Sequence, residues 1–178
     1  MEYRNLGSSG VKVSQLCLGT MMFGGATNEQ DSIEIIHRAM DDGINFIDSA
    51  NVYNDGEAES IVGKAVSGRR DRVVIATKVF GARGGGPNDQ GNGRIHILNE
   101  VENSLRRLGT DYIDIYILHR RDYETPLEES IDALNDLVRQ GKVRYTGCSN
   151  FYGYELAKAL WISDRNRCAP MAVVQPLY

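Results

Sequence analysis

The sequence predicts an α/β fold: a (β/α)8 (TIM) barrel with an N-terminal β-hairpin, about six of whose eight strands lie within these 178 residues. Three observations carry that expectation. Apolar runs of strand length alternate with helical periodicity from residue 16 onward, the order that builds a parallel sheet covered by helices. The strand runs are apolar almost throughout, as strands buried on both faces must be. Each run ends in a polar or ionisable residue, whereas no G-x-G-x-x-G or G-x-x-x-x-G-K-[ST] motif follows an early strand, as an open nucleotide-binding sheet would advertise.

The elements follow in order. YRNL and VKVS flank a Gly-Ser-Ser-Gly turn and predict a hairpin within residues 1–15. LCLGT (16–20) is a short strand stopped by glycine. Residues 28–43 read as a helix, with Ile33, Ile36, Ala39 and Met40 at helical spacing and Gly43 closing it. INFIDSA (44–50) is a strand and 56–66 a short helix. RVVIATKVF (72–80) is a strand rich in β-branched residues, followed by a glycine-rich loop, 81–93. That loop sits poorly as a phosphate cradle and better as a surface or lid loop. Residues 93–109 form a helix with Ile97, Val101, Leu105 and Leu108 on one face, and 111–119 a strand. A helix spans 125–142, where Thr125 is a candidate cap, Pro126 suits the first turn and Glu128 stands where a capping-box acid would. A strand (143–150), a helix (152–163) and a last strand (172–178) complete the chain, read as a single incomplete barrel domain, 1–178, with β/α units over 16–178.

Composition narrows the function. Twenty basic against 24 acidic residues give a net charge of −4 with the signs interspersed, which offers no stripe for nucleic acid or a membrane surface. No apolar run approaches the ~20 residues of a membrane span, and the first residues lack an apolar signal core. Cys17, Cys148 and Cys168 show neither close pairing nor metal-ligand spacing, so a reduced, cytoplasmic protein without a metal site is expected.

The strand ends supply the chemistry. Asp48, Lys78, His119, Ser149-Asn150 and Gln175 fall at the ends of successive strands, Thr20 ends the first, and Tyr53 lies five positions past Asp48. Each alone has a plain explanation: Asp48 as a turn residue, Lys78 as a solvated lysine, His119 as a hydrogen-bonded histidine, Tyr53 as packing, Ser149 and Asn150 as helix caps. Gathered at one barrel mouth, Asp48, Tyr53, Lys78 and His119 suit one task. A phenol is a poor acid near neutrality, a nearby ammonium stabilises its anion, a carboxylate anchors the ammonium, and a histidine orients a carbonyl oxygen. The set can give a proton to an oxygen becoming an alkoxide, and a nicotinamide cofactor is the natural source of the accompanying hydride. Arg120 and Arg121 are expected in solvent, His37 and His96 on the helix surface, and Trp161 packed against the barrel.

These residues also carry a resemblance. G-T-M-M-F-G (19–24), D-S-A-N-V-Y (48–53), A-T-K (76–78), I-L-H (117–119), G-C-S-N-F (147–151) and V-Q-P-L-Y (174–178) resemble, in order, the aldo-keto reductases. L-R-R-L-G-T-D-Y-I-D (105–114) and G-K-V-R-Y-T-G (141–147) look like further signatures of the family, in the subgroup that holds bacterial reductases and potassium-channel β subunits. The resemblance implies an NADP(H)-dependent enzyme that reduces a small-molecule aldehyde or ketone. It implies Tyr53 as proton donor, Lys78 as the residue that makes it a better acid, Asp48 as the partner of Lys78, and His119 as the group that orients the carbonyl. It implies that Ser149, Asn150 and Gln175 hold the nicotinamide carboxamide, and that Thr20 and Met21 border its ribose. Met21 and Met22 stand where the family often carries a large aromatic, which leaves the pocket shape open. A complete barrel takes ~250 residues, so the chain reads as part of a longer protein. A cofactor-binding regulatory subunit with vestigial chemistry, or an inert half-barrel, are the alternatives; neither substrate nor oligomeric state is legible.

Overall fold

The structure, a computed structural model, describes residues 1–176. β1 (Tyr3–Asn5) and β2 (Lys12–Ser14) form the antiparallel hairpin. Six parallel strands follow, each hydrogen-bonded to the next in chain order: β3 (Leu18–Gly19), β4 (Phe46–Asp48), β5 (Val74–Val79), β6 (Ile113–Leu118), β7 (Val143–Ser149) and β8 (Met171–Gln175). Between them run α1 (Glu29–Asp41), α2 (Glu57–Val66), α3 (Arg94–Leu108), α4 (Leu127–Arg139) and α5 (Gly153–Asn166). Sequential neighbours, all parallel and all crossed by a helix, curl into part of a (β/α)8 barrel.

Strand alternation divides the side chains between two apolar layers. Ile47, Ile75, Val79, Tyr116, Leu118 and Cys148 face the helices and share the larger core with residues such as Ile36, Ile61, Val101 and Leu134. The opposite parity, Ala76, Ile115 and Ile117 with Phe46, Val74, Tyr145 and Val173 against them, lines the concave face. Leu6 of the hairpin joins this inner cluster, so the hairpin closes the end of the curl away from the strand C-termini.

Several boundaries differ from expectation. The first strand shortens to two residues, its ladder pairing confined to Leu18 with Ile47 and Gly19 with Asp48, while ahead of it the Ser14 N–H goes to the Asn45 side chain (2.7 Å). Asn28 caps α1 by accepting from the Asp31 N–H (2.9 Å). Thr125 does not cap α4: its hydroxyl donates to Asp122 (2.7 Å), Pro126 takes the cap position, and Glu128 forms no capping box. That reciprocal acid appears instead on α5, where Glu155 accepts from the Tyr152 N–H (2.8 Å). The last strand starts at Met171, while Leu177 and Tyr178 lie outside the described residues. His96 is buried rather than superficial, and burial lowers its pKa. His37 is half-buried and meets the Ala65 carbonyl (2.9 Å), tying α1 to α2. Trp161 is 55% exposed instead of packed on the barrel, with the Arg165 guanidinium over its ring.

Candidate active site at the strand C-termini

Inward parity carries Asp48, Lys78, Ser149 and Gln175 to the mouth of the concave face, above the cavity of about 350 Å³ lined by Phe46, Ala76, Ile115, Val173 and their neighbours. A wider surface groove of about 920 Å³, among Arg70, Tyr112 and Lys142, touches none of these residues and borders the other strand ends. Among the described residues no group of His, Cys, Asp or Glu is placed to hold a metal ion.

Lys78 is the centre of the arrangement. Its side chain is 1% exposed, and all three ammonium hydrogens have acceptors: Asp48 Oδ2 at 2.7 Å, the Ser49 carbonyl at 2.7 Å and the Tyr53 hydroxyl oxygen at 3.2 Å. Because the ammonium donates into the phenol oxygen, the Tyr53 hydrogen is directed elsewhere, and no described residue accepts it. Tyr53 reaches this place from a tight turn (Tyr53–Gly56) between β4 and α2. The His119 ring stands edge-on to the Tyr53 ring, centroids 6.0 Å apart. Desolvation first, then the Lys78 and Arg120 charges, push its pKa down to about 4, so the imidazole is neutral near pH 7, with one nitrogen donating and the other accepting.

The other expected residues form a second group beside it. Ser149 Oγ donates to the Gln175 carbonyl (2.9 Å), and Asn150 Nδ2 donates to Ser149 Oγ (3.1 Å) and to the His119 carbonyl (2.9 Å). Asn150 takes φ +56°, a left-handed conformation that asparagine tolerates, and does not cap the next helix. Gln175 Nε2 lies 3.5 Å from Asp48 Oδ2, which brings the end of β8 against the end of β4 across the curl. Thr20 is buried and its hydroxyl donates to the Asp48 carbonyl (3.1 Å), so it braces the backbone of the acid. Met21 is 61% exposed at the rim. Arg120 is exposed as expected, its guanidinium over the Phe80 ring, while Arg121 is half-buried and donates to the Thr125 carbonyl (3.2 Å).

The sequence reading missed a buried ionic cluster behind the site. Thr77, on the outer face one residue from Lys78, donates to Glu59 Oε1 (2.5 Å). Arg107 of α3 bridges Glu59 (2.6 Å) and Glu100 (2.6 Å), both carboxylates almost wholly buried. Asn51 was missed too: it is fully buried, and neither side-chain amide atom has a partner among the described residues. No local spacing signals either feature.

A parallel sheet curled into part of a (β/α)8 barrel, with ionisable side chains converging at its C-terminal mouth, defines the class of protein. The chain belongs to the aldo/keto reductase family, whose model matches residues 15–178. It is 44% identical over its whole length to an uncharacterized oxidoreductase, YrpG, of Bacillus subtilis, covering 58% of that protein. It is 40% identical to a probable voltage-gated potassium channel subunit beta of Arabidopsis thaliana, again over its whole length and 55% of the relative. Aldo-keto reductase YhdN of Bacillus subtilis is 40% identical over all of this chain and 54% of its own. The chain thus spans a little over half the length of these relatives.

Proposed function

We propose that the complete protein containing this chain is an NADP(H)-dependent oxidoreductase that reduces aldehydes or ketones to alcohols. The observation that carries the reading is the single ammonium of Lys78, buried and shared between the Asp48 carboxylate and the Tyr53 hydroxyl. The residues present suit the cofactor's carboxamide, which offers one acceptor oxygen and a two-donor nitrogen. Opposite it would stand two side-chain amides and a hydroxyl on adjacent strand ends, Asn150, Gln175 and Ser149. A bound reduced nicotinamide would supply the hydride to the carbonyl carbon.

This chain's residues then manage the proton. His119, neutral, donates a hydrogen bond to the substrate oxygen and orients it. As negative charge builds on that oxygen, Tyr53 transfers its hydroxyl proton to it, completing the alcohol. The phenolate left behind is held by the Lys78 ammonium at 3.2 Å, and Asp48 keeps the ammonium charged and in place. A cytoplasmic setting accords with three free cysteines and with the absence, among the described residues, of a helix long and apolar enough to cross a membrane.

The test is NADPH oxidation by the full-length protein against a panel of aldehydes and ketones. Turnover that Tyr53→Phe abolishes while NADPH still binds is the expected result; turnover unchanged by that substitution refutes the assignment. The potassium-channel relative supports a second reading, a cofactor-sensing regulatory subunit. NADP+ release far slower than the hydride-transfer step would favour it.

A further inference from the structure

The structure assigns a positioning role to Asn54: we propose that its side chain fixes the loop after β3 as a specificity-determining wall beside Tyr53. The inference rests on the reductase reading above. The turn that presents Tyr53 continues through three successive left-handed residues, Asn54 (φ +46°), Asp55 (φ +56°) and Gly56 (φ +87°). Two consecutive non-glycine residues in that region hold the backbone against its preference, and such conformations persist only where surrounding contacts over-determine them.

Those contacts fasten one loop on each side of Tyr53. Asn54 Nδ2 donates to the Met21 carbonyl and to the Phe23 carbonyl, both at 2.8 Å, so both amide hydrogens hold the loop that follows β3. Asp55 forms an ion pair with Arg83 of the glycine-rich loop, and Gly81 at the start of that loop lies so close to Val52 that a Cβ there would come within 2.1 Å of its methyl. Met21 and Met22, just past the C-terminal end of β3, expose their side chains at the rim. Methionine side chains adapt to what they touch. What Asn54 fixes is where that adaptable wall stands relative to the Tyr53 hydroxyl.

Gly25 offers a way to release the clasp from the other side. A Cβ on Gly25 would come 2.3 Å from Asn54 Oδ1, and the backbone there is not left-handed, so alanine is conformationally allowed but displaces Asn54. The experiment uses the full-length protein with a short aliphatic aldehyde and an aromatic ketone, and reads the ratio of their kcat/KM values. Asn54→Gly keeps the left-handed backbone and removes both bonds; it shifts the ratio by about tenfold or more. Gly25→Ala shifts it in the same direction. The double variant matches Asn54→Gly alone, because the added methyl then meets no side chain at position 54.

Ratios within about twofold of wild type in an active enzyme overturn the role, as does strict additivity of the two substitutions. A wild-type protein that reduces no carbonyl overturns the reductase reading and this role with it. Should Asn54→Gly fail to fold, Gly25→Ala on its exposed loop carries the same expectation and the same refutation.

Discussion

The Lys78 ammonium stands 3.2 Å from the Tyr53 hydroxyl although the two residues are 25 positions apart on different elements. With all three of its hydrogens engaged inside the protein, Lys78 cannot pivot to solvent without breaking a bond to Asp48 or to the Ser49 carbonyl. Lys78→Met should therefore lower turnover by about 10²–10⁴-fold, the worth of a positioned proton-transfer group, while leaving cofactor affinity largely intact. Steady-state rates and a cofactor titration of the full-length protein check this. Lys78→Arg should not rescue activity, because a planar fork cannot reproduce three bonds from one nitrogen.

Stability should respond to the two halves of the pair unequally. Asp48→Asn leaves an ammonium that is 1% exposed without its counter-charge. Lys78→Met leaves a carboxylate that is 14% exposed and can draw on water. Stranding the inaccessible ammonium, by Asp48→Asn, should cost about 3 kcal/mol, and stranding the carboxylate, by Lys78→Met, less. Urea unfolding of the two variants at pH 7 measures the order; the reverse order would contradict the burial argument.

His119 should give stability a pH dependence of known sign. Its pKa falls from 6.5 to about 4 on folding, so between those values the unfolded chain binds more protons. The stability it contributes is complete above pH 6.5 and is lost as pH falls toward 4, about 3 kcal/mol in all. His119→Gln should flatten that part of the stability profile, and the wild-type rate profile should show no limb near pH 6.5 from this residue.

The ionic cluster behind the site predicts a coupled loss. Arg107→Met leaves the buried Glu59 and Glu100 carboxylates facing each other without a cation. The cost should be about 3–5 kcal/mol. Adding Glu59→Gln should recover part of it, although Thr77 then keeps a weaker acceptor. Thermal unfolding of the single and double variants checks the recovery.

Gly147 is a position where even one methyl is too much. A Cβ there would lie 2.3 Å from a Val173 methyl and 3.0 Å from the Val173 carbonyl, at the irregular step where β7 pairs with β8. Gly147→Ala should cost about 1–3 kcal/mol by overpacking. Because β8 carries Gln175, it should also weaken cofactor binding, read by a titration alongside the melting curve.

Element order was legible in the sequence because parallel strands buried on both faces write themselves as apolar runs, and because the residues that break those runs sit where a barrel opens. Asp48, Lys78 and Gln175 stood out for that reason. The partners of the backbone did not. Asn45 on the Ser14 N–H and Asn54 on two carbonyls each join segments about 30 residues apart, and nothing local distinguishes them from caps or surface polar residues. Glu59, Glu100 and Arg107 read as ordinary helix charges because their burial arises only when α2 and α3 pack together over β5. His96 was misjudged for the same reason.

Thr77 and Lys78 are adjacent, yet one side chain binds a glutamate among the helices and the other an aspartate at the mouth. Substitutions at either position weaken the protein by degrees. Inserting or deleting a single residue within β5 acts differently, since it turns every side chain downstream to the opposite face. The ammonium would meet the apolar helix layer, and the hydroxyl would point into the mouth. The length of this segment is therefore fixed by the two faces it has to serve.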